Sequence, residues 1–389
     1  MHGKASPRGR DDSASASGRH YTRAYLGSPG MDNGPYCHTL SRDEAIAATG
    51  AVMPARSRST PYSLASAALL ALAALGLAGC SATPHRTALA PDALLASTPN
   101  IEWCGTLALP SEWQDGTPVG GLSDLGWDKD ESLLFLISDR GWLHRARLAF
   151  SGSGELRGYE PLDTYPLRGE DGAILASASS DAEALALENA DDGVRGNTQL
   201  VIGFEGTAGS DARWQRFLPS GIASGPAQRP AGLSDIRPNG GLEALTDTPD
   251  HGLIGGVENP PDGWPEKMTR LFTLDGSREW RYPLAANANS ALTALETLDD
   301  DLLALERAYT PPASLVIRLR RAHLADDGSV TVTELARLSN GDGWSLDNFE
   351  GLTRLGGQRY LMVSDDNFSL MQRTLLTCFA VTESGTATP

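Results

Sequence analysis

The sequence contains few histidines, cysteines, lysines and aromatic residues. Its 389 residues include 7 His and 4 Cys, and Lys129 and Lys267 are the only lysines after residue 80. So few histidines argue against a His-rich zinc site. The 32 Lys+Arg are outnumbered by 49 Asp+Glu, which argues against nucleic-acid binding because a phosphate backbone requires a basic face. Aromatics are only 6 %, but a hydrophobic content of 40 % excludes wholesale disorder.

Several catalytic motifs are absent from the sequence. It has no G-x-S-x-G nucleophile elbow, no H-E-x-x-H zinc motif, no Walker A loop and no Rossmann glycine fingerprint in a strand–turn–helix setting. The Arg-His-Gly motif of acid-phosphatase phytases is also missing. An α/β-hydrolase-type esterase with a serine triad is therefore unsupported.

The N-terminal region has the features of an export signal. Arg56 and Arg58 precede an apolar run, Leu64–Gly79, which is followed by Cys80. A basic start, an apolar stretch of 16 residues and small residues before a cysteine are typical of a secretory signal, and the run is short for a membrane span. Leu77 to Cys80 resembles the bacterial lipobox, so we expect lipidation of Cys80 and anchoring in the cell envelope; a plain signal or anchor is the alternative.

We therefore expect four regions. They are a disordered leader or misassigned start (1–52), a lipoprotein signal peptide (53–79), a lipidated cysteine with its tether (80–100) and one folded domain (101–389). Removing the first 79 residues takes away eight basic and five acidic residues, so the formal net charge goes from −17 to −20. Cys104 and Cys378 then remain near the two ends of the folded region, where an oxidising compartment allows a disulfide. Two separate buried thiols are the alternative.

One sequence pattern occurs five times in the folded region. Each copy begins with a small or acidic residue, followed by a pair such as Ala-Leu or Gly-Leu. A turn and then an apolar strand come next. The lead positions of the five copies are Ser123, Glu183, Glu243, Thr293 and Glu350. The second strands end at Ser138, Glu205, Glu258, Glu306 and Ser364.

Three or four short strands per unit, joined by turns, are typical of a β-propeller. We predict an all-β fold with five to six blades, in which a sixth blade could lie in residues 141–180 or be built from the two chain ends. The N-terminal strand Ile101–Leu109 is expected to close the ring against the last blade. A β-helix or a two-sheet sandwich is the structural alternative.

The motifs DAEAL, NGGLEAL, LLALERAY, DNFEGLT and LMVSDDNF resemble the phytase-like family, also described as "esterase-like activity of phytase", of exported bacterial proteins. The resemblance extends from about Gly120 to Val381 and implies phosphoester or ester hydrolysis. The pattern Glu-[Ala/Gly]-Leu, turn, apolar strand is also similar to gluconolactonase-type propellers, in which a Glu at the start of the innermost strand binds a divalent cation.

A propeller gathers the starts of its innermost strands at one mouth. Glu183, Glu243 and Glu350 are therefore predicted as cation ligands, because clustered carboxylates are costly without a positive charge. Oxygen ligands suit Ca²⁺, or alternatively Mg²⁺. Further candidates for this funnel are Asn239, Glu258, Glu306, Asn348 and Asn367.

The predicted catalytic residues are Asp365, Asp366, Arg140 and Arg307. The arginines would hold a substrate phosphate and the aspartates would position water. For each acid the alternative is an ion pair that joins neighbouring blades, and for Asp365–Asn367 a turn that caps the backbone.

The sequence thus predicts a membrane-anchored, cation-dependent phosphoester or ester hydrolase that acts at the central funnel as a monomer. The alternative is a non-catalytic envelope propeller that binds a ligand or a protein partner. A charge of −20 works against a free polyanionic substrate such as phytate, because long-range repulsion slows the encounter.

Overall fold

The computed structural model describes residues 83–113, 116–206, 212–230, 241–287 and 289–382. Regular structure in these ranges is almost entirely β, with one four-residue helix, α1 (Asp92–Leu95), and two 3₁₀ turns (Ser177–Ser179 and Asn340–Asp342). None of the helices in this part of the chain is long and apolar enough to span a membrane.

The strands come in short runs separated by turns. In chain order they are β1 (His85–Thr87), β2 (Ile101–Ala108), β3 (Leu122–Asp128), β4 (Leu133–Ser138), β5 (Trp142–Phe150), β6 (Leu156–Pro166), β7 (Ala182–Glu188), β8 (Gln199–Phe204), β9 (Arg213–Phe217), β10 (Leu242–Thr248), β11 (Gly252–Val257), β12 (Met268–Thr273), β13 (Glu279–Pro283), β14 (Ser290–Leu298), β15 (Asp301–Thr310), β16 (Ser314–Leu324), β17 (Val330–Ser339), β18 (Asn348–Gly356), β19 (Arg359–Asp365) and β20 (Leu375–Val381).

These strands form five antiparallel sheets, which are the blades of a propeller. Blade 1 is β3 to β6, blade 2 is β7 to β9, blade 3 is β10 to β13 and blade 4 is β14 to β17. Blade 5 has the order β18-β19-β20-β2-β1. The innermost strands β3, β7, β10, β14 and β18 each contact the next, and β18 contacts β3, so the ring is closed. The predicted β-propeller is confirmed, and the described ranges form five blades.

The segment considered for a sixth blade belongs to blade 1. Residues 142–150 and 156–166 are its two outer strands, β5 and β6, which pair with each other along their whole length. Because five sheets are arranged around one axis, the alternatives of a β-helix and a two-sheet sandwich are excluded.

Blade 5 closes the ring by combining the two ends of the folded region, as predicted. Strand β2 pairs antiparallel with β20, and Cys104 is an extra, bulged residue between Trp103 and Gly105. Cys104 forms a disulfide with Cys378, with Cα atoms 4.9 Å apart and a sequence separation of 274. The last blade is therefore held by both backbone pairing and a covalent bond.

Part of the segment assigned to a tether packs on this blade. Strand β1 pairs with β2, and Leu89 and Ala90 are buried in the apolar core between blades 4 and 5. Asn100 donates a hydrogen bond to the Leu335 carbonyl of blade 4. The folded domain thus includes residues that precede the expected boundary at residue 101.

The hydrophobic core is divided among the five blade interfaces. Each interface has its own cluster of buried side chains, which come from the facing surfaces of two adjacent sheets. The alternation of side chains along each strand supplies apolar residues to both neighbours. This packing fixes where each innermost strand begins, and hence the geometry at the mouth of the ring.

Candidate functional site

All five lead positions are β-bulges. In every blade the pairing between the first and second strands skips one residue, and the skipped residue is Ser123, Glu183, Glu243, Thr293 or Glu350. A bulge inserts one residue without a partner and re-aims its side chain. The repeated pattern in the sequence therefore encodes one redirected side chain per blade at the same mouth of the ring.

A second set of equivalent positions lies at the ends of the second strands. Each of these residues is opposite the residue two places before the bulge. We call them the rim positions: Asp139, Glu205, Glu258, Arg307 and Asp365. The sequence analysis aligned Glu306 with Glu205 and Glu258, but the register shows that Arg307 holds that place. The space enclosed by the lead and rim positions is called the funnel.

Glu306 lies inside the sheet region rather than on the funnel. Its side chain is fully buried and accepts hydrogen bonds from the Tyr282 hydroxyl (2.7 Å), the Ala285 amide (2.9 Å) and the Ser290 hydroxyl (2.8 Å), and it forms an ion pair with Arg320. Both carboxylate oxygens are thus occupied. The ion pair with Arg320 lies within blade 4, whereas the Tyr282 hydroxyl bonds Glu306 from strand β13 of blade 3.

Three carboxylates converge on one side of the funnel. Asp181, Glu183 and Glu205 each offer an oxygen, and these oxygens all lie within 4.8 Å of one another. Burial raises the pKa of the Glu183 carboxyl well above its usual value, and the neighbouring carboxyls of Glu243 and Asp181 raise it further. Burial and the charge of Glu258 raise the pKa of Glu205 to about 7. This group has the size and oxygen chemistry of a site for a hard divalent cation.

Glu243 connects this group to the rest of the funnel. Its pKa is raised well above the usual value, first by burial and then by the charges of Glu258, Glu205 and Glu350. Arg307 acts in the opposite direction and lowers it. The three predicted ligands, Glu183, Glu243 and Glu350, therefore share one electrostatic environment, although only Glu183 belongs to the compact carboxylate group.

Arg307 neutralises the opposite side of the funnel. Its guanidinium lies 3.2 Å from Glu258 Oε1 and 3.2 Å from Glu350 Oε1, and it donates to Asn348 Oδ1 at 2.5 Å. Asn348 in turn donates to Glu350 Oε1 at 2.9 Å. Only 13 % of the Arg307 side chain is exposed, so this arginine is engaged with protein carboxylates.

The predicted phosphate contact Arg140 is exposed at the edge of the funnel. Its guanidinium carbon lies 3.4 Å from the centroid of the Phe368 ring, a cation–π contact that orients the side chain. Gly121, with φ +59°, lies directly beneath, and a Cβ there would clash with Asp139 and Phe368. Burial raises the pKa of the Asp139 carboxyl to about 7, although the adjacent Arg140 lowers it.

The triplet Asp365-Asp366-Asn367 divides between two roles. Asp366 Oδ1 accepts from the amides of Gly121 (3.1 Å) and Phe368 (3.0 Å), which makes it a backbone cap. Asp365 Oδ1 accepts the Asn367 amide at 2.7 Å, and burial together with Glu350 raises the pKa of Asp365 to about 8. Asn367 itself is exposed, with φ +48°. The charges of Asp139 and Asp366 raise the pKa of Asp365 further.

Two predicted residues lie outside the described ranges. Asn239, a funnel candidate, belongs to residues 231–240, and Cys80, the lipidation candidate, precedes residue 83. Both remain predictions.

The sequence analysis did not predict a role for Asp124, a buried acid that links the innermost strands of three blades. Asp124 follows the bulge of blade 1, where the other blades have Ala184, Ala244, Ala294 and Gly351. Its carboxylate accepts the amides of Leu125 (2.8 Å), Leu185 (2.7 Å) and Leu352 (3.1 Å), which lie on innermost strands of three blades. All five residues are buried, and we call them the axial layer. The sequence did carry a signal for Asp124: it is the one acid among five equivalent positions, and the other four are Ala or Gly.

A family model shows which protein family this chain belongs to. The family described as "Phytase-like: Esterase-like activity of phytase" matches residues 117–368, from the loop before β3 to the aromatic residue beneath Arg140. The chain belongs to the phytase-like family. All five lead positions and all five rim positions of this phytase-like protein lie inside the match. No curated protein matches the chain.

Three solved structures that are similar to this chain are distant in sequence. The structure of U3-55K is 12 % identical, with 68 % of this chain and 78 % of that chain covered and a TM-score of 0.33. The PQQ-bound aldose sugar dehydrogenase from Streptomyces coelicolor is 12 % identical, with coverage of 72 % and 98 % and a TM-score of 0.39. The RRP9 WD40 repeats are 13 % identical, with coverage of 77 % and 87 % and a TM-score of 0.32. At these TM-scores the likenesses carry no argument about function.

Proposed function

We propose that this phytase-like protein hydrolyses phosphoesters or related esters at the funnel with the help of a divalent cation. The observation that carries the proposal is the Asp181–Glu183–Glu205 group, in which three carboxylate oxygens lie within 4.8 Å of one another and two of the carboxyls have strongly raised pKa values. Like charges so close together cannot all ionise unless a positive charge joins them.

Ca²⁺ or Mg²⁺ would be held by Asp181, Glu183 and Glu205, with Glu243 adjacent. Both ions prefer carboxylate oxygens, and Ca²⁺ accepts the irregular geometry that side chains from different blades provide. A bound cation would polarise a phosphoryl or carbonyl oxygen and facilitate deprotonation of water. It would also offset the repulsion between this acidic protein and an anionic substrate.

The remaining funnel residues suit substrate binding and proton transfer. Arg140 is exposed, oriented by Phe368 and able to bind a phosphate through two N–H groups. Hydrolysis forms a bond from water oxygen to phosphorus and breaks the bond to the leaving alcohol. Asp365, whose pKa is raised to about 8, can donate a proton to the departing oxygen, and Asp139, whose pKa is raised to about 7, can accept one from water. Arg307, predicted as a substrate contact, instead fits a role in holding Glu258 and Glu350.

The test is a comparison of matched variants of the full chain. Calorimetry with CaCl₂ and MgCl₂ and hydrolysis of phytate, bis(p-nitrophenyl) phosphate and p-nitrophenyl butyrate are measured with and without EDTA. We expect EDTA to abolish hydrolysis and Glu183→Gln to weaken cation binding and lower the rate by about 100-fold, on the order of 2.7 kcal/mol. Glu160→Gln, an exposed acid on the outer strand β6, should leave both unchanged. No hydrolysis across this panel with Ca²⁺, Mg²⁺ and Mn²⁺ would refute the catalytic proposal.

A non-catalytic binding propeller is the second candidate. The ion pairs of Arg307 with Glu258 and Glu350 favour it, because they neutralise part of the funnel without a cation. Cation binding that depends on Glu183 but is accompanied by no hydrolysis supports a ligand-binding role. Absence of cation binding in the parent protein supports a purely structural role for the acids.

Export and lipid anchoring are proposed from the signal-like region alone. Cys80→Ala should move the protein from the membrane fraction to the soluble exported fraction. Unchanged membrane association of Cys80→Ala would contradict the lipid anchor.

A further inference from the structure

A cavity of about 410 Å³ lies at the other mouth of the ring, where the innermost strands end. Residues from all five blades line it, at the ends of the innermost strands that lie opposite the lead positions. Its size is in the range of small-molecule sites. Its walls combine apolar side chains, including Trp127, Leu187 and Leu355, with the carboxylates of Asp247 and Glu296.

Glu296 receives several hydrogen bonds but no ion pair. Its Oε1 accepts from the Thr297 amide (2.6 Å) and the hydroxyls of Thr297 (3.1 Å) and Thr246 (3.3 Å), and its Oε2 accepts the Arg354 amide at 3.0 Å. Across the described ranges, no Lys or Arg nitrogen lies within 4 Å of its carboxylate. Burial raises the pKa of Glu296, which is the consequence expected for a carboxyl without a nearby cation.

The basic residues on the cavity wall are engaged elsewhere. Lys129 Nζ contacts both carboxylate oxygens of Asp191, at 2.7 and 2.8 Å. Arg354 donates to the Gly357 carbonyl at 2.6 Å and lies 3.9 Å from Asp299. Arg216 is bidentate to Glu188, so it compensates Asp247 only at longer range.

Asp247 is the second carboxylate on the wall without a close cation. Burial raises its pKa, and Glu188 and Glu296 raise it further. Two carboxyls that act on each other therefore border a partly apolar cavity whose basic groups are already paired.

We propose that this lower cavity binds a small organic ammonium ligand. The ammonium group would donate to Glu296 Oε2 and to Asp247, and the hydrocarbon part would pack on Trp127, Leu187 and Leu355. A metal ion fits less well, because Glu296 Oε1 already accepts three hydrogen bonds and apolar side chains line part of the wall beside it. The site is separate from the funnel, so its occupancy does not depend on the proposed hydrolysis.

The experiment compares a charged probe with a neutral one of the same shape. Full-length protein at pH 7 is titrated with cyclohexylammonium chloride and with cyclohexanol by calorimetry. We expect the ammonium to bind at least about tenfold more tightly than the alcohol. Glu296→Gln should weaken ammonium binding by about tenfold, whereas Glu183→Gln in the funnel should leave it unchanged.

The variants also guard against two misleading results. If Glu296→Gln does not fold, Asp247→Asn serves as the second variant, because Asp247 is at an exposed position. It should weaken ammonium binding by about threefold. The loss is smaller than for Glu296→Gln because this carboxyl is partly solvated. The proposal is overturned by equal binding of the two probes or by no ammonium binding at all. It is also overturned if ammonium binding is lost in Glu183→Gln but retained in Glu296→Gln, since the probe would then occupy the funnel.

Discussion

Removing the disulfide should reveal how much stability comes from joining the chain ends. The Cys104–Cys378 bond spans 274 residues. In the chain-entropy model a loop of 100 residues contributes about 4.7 kcal/mol at 25 °C, and the logarithmic dependence raises this to about 5.6 kcal/mol here. The suitable variant replaces both cysteines with alanine. A serine at the fully buried Cys378 would instead place a hydroxyl in an apolar cluster.

The native blade should survive this change. Strands β2 and β20 remain paired from Ile101 to Ala108, so the loss acts mainly through a more open unfolded state. A folded region of roughly 300 residues has an unfolding entropy of about 0.6 kcal/mol per kelvin, which converts 5.6 kcal/mol to a fall in Tm of about 9 °C.

Calorimetry and urea titration of parent and Cys104→Ala/Cys378→Ala proteins give the comparison. The m-value should rise in the variant, because the open chain exposes more surface on unfolding. Reductant should destabilise the parent to the same extent and have no effect on the variant. A loss below about 1 kcal/mol would refute the reasoning and show that strand pairing alone fixes the last blade.

Three further predictions follow from buried carboxyls. Asp124→Ala leaves three amides without their acceptor and should lower the free energy of unfolding by about 3 kcal/mol or more in urea titrations, whereas Glu160→Gln should change it by less than about 0.5 kcal/mol. Glu306→Gln breaks a buried ion pair and should cost about 3 kcal/mol in the same assay, and no loss would argue against its structural role. The raised pKa values of Asp139 and Asp365 mean that the folded state binds more protons than the unfolded state, so without a cation stability should fall as the pH rises from 6.5 to 8. Saturating Ca²⁺ should reverse this trend in thermal melts if it binds the funnel.

The propeller fold and the place of ring closure could be predicted from the sequence, whereas the number of blades was narrowed only to five or six. The five lead positions are spaced at intervals that fit one blade each, and the cysteines near both ends indicated where the ring closes. The sixth blade could not be excluded, because residues 141–180 contain enough apolar residues for strands, and only pairing shows that β5 and β6 extend blade 1.

Registers and partners were not readable in the same way. Strand β15 runs from Asp301 to Thr310 and continues for four residues beyond Glu306. A glutamate at this point of the sequence pattern, as at Glu205 and Glu258, therefore did not mark the end of the strand. Bulges leave no residue-type signature when the bulged positions are Ser, Thr and Glu. The pairing of Arg307 with Glu258 and Glu350 joins three blades and depends on how the sheets are arranged around the axis.

The axial layer has a consequence for the traffic of molecules through the ring. Because Asp124 links the innermost strands of three blades and the four equivalent residues are also buried, we expect a compound that enters the funnel to leave through the same opening. A product would therefore occupy the path of the next substrate, and inhibition by product should be competitive. For the same reason a long polymer cannot thread through the ring, so only its ends or side groups could reach the acids.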